Sequence, residues 1–169
     1  MPLYVNIPPG GPDTRVLTAQ ATTLDFTGLN GDLFGDYEIA GYIAVTNSGS
    51  PSYYFRPNTL ATNQIAELTA NTNGTLTGTN LTTLFISGLA AAAGAYVNFN
   101  IRFSAKSGKQ RFFVCNTFDH TGATNRSLVT IGAWTDTATN FTTGQIFCDT
   151  ANGIDIGSRI VCRPLGVAT

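Results

Sequence analysis

His120 is the only histidine in the chain, and Asp119 stands beside it, so any acid–base chemistry by an imidazole has to start there. A catalytic third group orients a ring from across a fold, and a sequence neighbour does not; the expectation is a loop imidazole in water. Asp149, Asn152 and Asp155 bring hard oxygens close together and would suit Ca²⁺, yet the same residues are what a turn demands. Cys115, Cys148 and Cys162 are odd in number and lack metal-ligand spacing, which predicts three reduced, buried thiols. Trp134, Tyr53 and Tyr54 offer aromatic faces of the kind that stack on sugar rings, but aromatics in strands belong to the core more often. Glycoside hydrolysis needs two carboxylates held together, and the few acids here sit beside Gly, Asn or Thr in turn-like settings. No nucleophile elbow, metalloprotease helix or phosphate loop is present. The residues therefore predict a protein that is not an enzyme, with no cofactor and no metal. Sequons at Asn73, Asn80, Asn125 and Asn140 are what a chain rich in Asn and Thr produces by chance.

The charge inventory is more telling. Only 11% of the 169 residues are charged, the net charge is -1, and Thr and Asn fill about a quarter of the positions. Nucleic acid and anionic membranes both want clustered Lys and Arg, so neither is an expected partner. Between Glu67 and Arg102 no residue is charged, but Thr, Asn and Gly interrupt the run too often for a membrane span. Soluble monomers usually guard their sheet edges with Lys, Glu or Pro. Sparse guards and a mean hydropathy of +0.08 predict a surface covered by copies of itself or by a larger assembly. Met1-Pro2-Leu3-Tyr4 has neither the basic nor the apolar region of a signal peptide, which predicts a protein that is not exported.

These residues must be positioned by strands. Val97, Phe99, Ile101 and Phe103 alternate with Asn98, Asn100, Arg102 and Ser104, the period of a half-buried strand. A polar turn at 105–109 then returns the chain through Arg111-Phe112-Phe113-Val114-Cys115, and the two runs read as the hairpin that anchors a sheet. Leu3, Tyr4, Val5 and Ile7 lie ahead of Pro8-Pro9-Gly10-Gly11-Pro12, which favours a stiff extended arm. That arm spans 1–14, the single domain 15–169, and the four apolar residues are candidates for contact with a neighbouring subunit. Further strands are expected at Arg15–Gln20, Thr23–Phe26, Tyr37–Val45, Tyr53–Arg56, Leu81–Ile86, Leu128–Trp134, Gln145–Cys148 and Arg159–Arg163. Asn58–Asn80 reads as a long polar connection containing a short strand at Ile65–Thr69, and Asp119–Arg126 as a loop. Eight to ten short strands with regular turn signals and no long amphipathic helix predict an all-β antiparallel sandwich of jelly-roll type.

Tyr37-Glu38-Ile39-Ala40-Gly41-Tyr42-Ile43, Tyr54-Phe55-Arg56-Pro57-Asn58 and Ile154-Asp155-Ile156-Gly157-Ser158-Arg159-Ile160-Val161, with Gly166 near the end, resemble the β-sandwich domains of tailed-bacteriophage virion proteins over roughly Phe34 to Val167. The resemblance implies a non-enzymatic structural part, usually trimeric, located in a virion assembled in the host cytoplasm. It leaves two roles: a decoration (cement) protein that bridges capsomers of the major capsid protein, or a tail-fibre tip that binds a host glycan. A chain that starts at Met1 with a short arm and no heptads is expected to be the former.

Overall fold

A computed structural model describes residues 12–46, 49–72, 74–89, 94–121 and 124–166. The arm candidates Leu3, Tyr4, Val5 and Ile7 lie outside the described residues. Twelve strands and one helical turn follow in order: β1 (Asp13–Val16), β2 (Thr23–Thr27), α1 (Gly31–Phe34), β3 (Asp36–Ala44), β4 (Ser52–Pro57), β5 (Gln64–Thr72), β6 (Thr75–Leu81), β7 (Leu84–Gly88), β8 (Tyr96–Ser104), β9 (Arg111–His120), β10 (Asn125–Trp134), β11 (Thr143–Cys148) and β12 (Arg159–Pro164).

The strands form an antiparallel β-sandwich. One sheet has the order β1-β12-β3-β8-β9-β10-β5-β6 and the other β2-β11-β4-β7. The chain crosses between sheets from β1 to β2, β2 to β3, β3 to β4, β4 to β5, β6 to β7, β7 to β8, β10 to β11 and β11 to β12. Two hairpins, β5 with β6 and β9 with β10, stay in the large sheet, where β9, β10 and β5 lie against β7 of the small one.

The alternation at the centre of the sequence is realised in full: Val97, Phe99, Ile101 and Phe103 of β8 are buried, and β8 pairs with β9 as the expected hairpin. Phe103 packs on Phe55, Phe141 and Trp134, with ring centroids 5.3, 4.9 and 6.2 Å away, so aromatic rings from both sheets and from the loop before β11 meet at one point. Each fully buried ring contributes about 2 to 3 kcal/mol by leaving water, which is what the Thr-rich periphery depends on.

Several expectations are corrected. The strand placed at Arg15–Gln20 lies at Asp13–Val16, paired with β12, and so begins inside the span read as the arm. Asn58–Asn80 is not a long connection: it contains most of the β5–β6 hairpin, with β5 hydrogen-bonded to β10 along its whole length from Gln64 to Thr72. Thr suits a strand, but β5 and β6 mix polar and small residues on both sides, so the period of two is hidden until β10 supplies a partner. Asp119–Arg126 is mostly strand too, since β9 runs to His120 and β10 begins at Asn125.

Candidate functional site

Consecutive strand residues point to opposite faces, and that separates Asp119 from His120. Asp119 points inward and is fully buried; both its oxygens accept from Arg126 (2.8 and 2.7 Å), and Ser87 Oγ donates to it at 2.5 Å. Arg126 also donates to the Gly88 carbonyl, so the cluster ties β7 of the small sheet to β9 and β10 of the large one. His120 is not a loop residue: it ends β9 half-buried, its ring 5.5 Å from that of Tyr96 and its Nδ1 2.7 Å from Asn125 Oδ1. The acid–base pair is thus dismantled by the pleat.

The turn acids are used locally. Asp149 accepts from the Ser52 amide at 2.8 Å, and Asp155 from the Ile156 amide and Gln20 at 2.8 and 3.1 Å, while Asn152 holds a left-handed φ of 57°. Among the described residues no three of His, Cys, Asp and Glu gather as metal ligands do. All three cysteines are free and buried, and burial pushes their thiols up to about 12, 11 and 12 for Cys115, Cys148 and Cys162. Of the aromatic trio, Trp134 and Tyr53 belong to the core and cannot stack on a sugar. Tyr54 alone stays near the surface, on the outer face of the small sheet beside Phe85, Phe147 and Arg56. The Arg56 guanidinium lies 3.4 Å over the Phe147 ring, and Tyr54 and Arg56 line a hollow of about 240 Å³ with Ala61, Gln64 and Thr83.

The motifs that carried the virion resemblance turn out to be structural devices. Asn58, at φ 50°, accepts from the amides of Thr142 and Thr143 and donates to the Asn140 carbonyl, clamping the approach to β11. Ser158 is buried; its Oγ accepts from the Ala44 amide and donates to the Asp155 carbonyl, which locks the turn before β12.

One feature escaped the sequence reading. The outer face of the large sheet, where β5, β10, β9 and β8 adjoin, is apolar in the middle: Ile65, Ile131, Phe112 and Phe118 are 58%, 56%, 53% and 46% exposed, with Val129 and half-buried Val114 among them. Their register makes this a continuous patch. Ala133 joins Ile65 to Phe112, and Ile131 sits beside Val114. Glu67 and Arg102 bound it on either side in the row of Ile131 and Val114. The available signal was the unbroken apolar run Phe112-Phe113-Val114-Cys115, which puts apolar side chains on both faces of a strand. No helix among the described residues is long and apolar enough to cross a membrane. Among the described residues β6 is an edge strand, and it carries no charged residue and no Pro to discourage pairing.

No family model and no curated protein matches the chain. The site therefore has to be interpreted from its own chemistry.

Proposed function

We propose that this is a non-enzymatic structural protein that works by being built into a larger particle, as a capsid decoration (cement) protein of a bacteriophage virion. The observation that carries the reading is the apolar outer face of the large sheet. Monomers seldom keep several half-exposed Ile, Phe and Val side chains contiguous on a flat sheet, because each leaves apolar area in water at roughly 25 cal/mol per Å². Strand order supports it further. Without the two inserted hairpins, the sheets read β1-β12-β3-β8 and β2-β11-β4-β7, an order that supports reading the sandwich as a jelly roll, a fold common in capsid proteins. The resemblance to β-sandwich virion domains adds the setting: trimers on a shell of major capsid protein, assembled in the host cytoplasm. Many copies, each with modest contacts, would stabilise a shell through avidity. In this reading the arm residues Leu3, Tyr4, Val5 and Ile7 reach a neighbouring subunit.

The test is binding of purified protein to shells that lack it, with shell breakage on heating as the readout. The wild type is expected to bind and to raise the breakage temperature; deletion of residues 1–12 is expected to weaken binding. Particles that neither bind it nor gain stability would overturn the reading. The alternative of a receptor-binding module is favoured by one observation, the hollow with Tyr54 and the aromatic-stacked Arg56. It expects binding on a glycan array that Tyr54→Ala abolishes while oligomeric mass is unchanged.

A further inference from the structure

Building on that assembly reading, we infer that the occupant of the apolar sheet face is a second copy of this chain, docked face to face about a two-fold axis along the seam between β9 and β10. The register carries the argument. Along the seam the outward neighbours are Ala133 with Phe112, Ile131 with Val114, Val129 with Asn116, and Ser127 with Phe118. A two-fold axis lying along the seam exchanges the two strands, so each residue of β10 meets, in the other copy, the residue that is its own neighbour on β9. Each exposed Phe112 ring then covers the other copy's Ala133, and each Phe118 covers Ser127. Ile131 and Val114 meet near the centre, and Val129 of each copy lies over the exposed Asn116 of the other in the next row. Large side chains oppose small ones towards both ends, which is the condition for two sheets to interdigitate at the usual ~10 Å separation.

One strand further out the same operation pairs charges. Glu67 of β5 is level with Ile131, and Arg102 of β8 is level with Val114. The rotation sets Glu67 of each copy over Arg102 of the other, giving two symmetry-related ion pairs across the interface. Both residues are exposed, and among the described residues neither forms a salt bridge within its own chain. Glu38, directly opposite Arg102 in register, is hydrogen-bonded by Arg163 and Asn100 and also feels the Arg102 charge, but forms no salt bridge to it among the described residues. A surface shaped for an unrelated partner has no reason to complement its own two-fold image in both size and charge. The dimensions suit as well. Four strands at ~4.8 Å and nine residues at ~3.4 Å present about 19 by 30 Å, and side-chain relief raises that ~600 Å² of plane area towards the ~800 Å² a side of a standard interface.

Sedimentation of the full chain across a concentration series tests this. Ile131→Asp is expected to halve the oligomeric mass, a lone pair falling to single chains or two paired trimers to separate ones. Glu67→Lys and Arg102→Glu are each expected to weaken self-association by about tenfold or more, because each sets like charges face to face twice. The double variant E67K/R102E, with the polarity reversed but still complementary, is expected to recover to within about threefold of the wild type. All three positions are exposed, and thermal melts verify folding. A wild type that stays monomeric, an assembly whose mass ignores Ile131→Asp, or a double variant worse than either single change would overturn the pairing. Shell binding keeps the two claims apart. A paired protein that ignores shells overturns only the virion reading, and a shell-binding protein indifferent to these substitutions overturns only the pairing.

Discussion

At the scale of single residues, the charges that matter are the buried ones. Asp119 is enclosed with Arg126 and Ser87, so removing its charge leaves a guanidinium in a site built for an anion. Asp119→Asn is expected to cost roughly 3 kcal/mol of stability, measured by urea unfolding, and Asp119→Asn with Arg126→Met less than the sum of the two singles. Arg111 is a different solution. It is fully buried, 4.4 Å over Trp134, and donates to the carbonyls of Lys106, Asp136 and Thr139, while burial lowers its basicity. Lys cannot reproduce that fork, so Arg111→Lys is expected to lower the melting temperature although charge is conserved. The thiols make a simpler case. Buried and pushed up in pKa, all three are expected to ignore a thiol reagent in the native protein and to react together on unfolding.

At the scale of elements, the loops are held by side chains that substitute for backbone partners. Asn58 fastens the end of β4 to the 140–143 segment through three hydrogen bonds while occupying a left-handed φ of 50°. Both Asn58→Ala and Asn58→Gly lose those bonds, but only Ala also meets the steric cost of that φ. Asn58→Ala is therefore expected to be less stable than Asn58→Gly by about 1 kcal/mol, in the same unfolding assay. Gly41 marks another fixed point, where an added Cβ would lie 2.4 Å from the Arg159 carbonyl and force β3 away from β12.

At the scale of the whole molecule, few ionised groups leave pH dependence to a handful of carboxylates. Glu38 is held below its ordinary 4.5, first by the hydrogen bond from Asn100 and then by Arg163, against the opposing effect of burial. Asp32 and Asp136 are held below their ordinary 3.8, mainly by hydrogen bonds from Ser107 and Thr139 respectively. In each case the unfolded chain takes up its proton at a higher pH than the folded one does. Stability is therefore present above the ordinary carboxylate range and lost as pH falls through it and below. The melting temperature is expected to be flat from neutrality to about pH 5 and to drop below pH 4.5, with Glu38→Gln flattening part of that drop.

Composition and local periodicity sufficed for what depends on neighbours in the chain. They indicated an all-β protein, the inward set of β8, the β8–β9 hairpin and the buried thiols, because alternation along a strand decides which side chains share a face. The sparse charge led to the expectation of an assembled surface, without saying where on the molecule it would lie. Only the tertiary structure could decide that Asn58–Asn80 forms strands, that Asp119 and His120 part company, and that Ile65, Phe112 and Ile131 become one patch. Each of these depends on which strand lies alongside which, and hydrogen-bonded register between strands distant in sequence leaves no periodic trace in either strand alone.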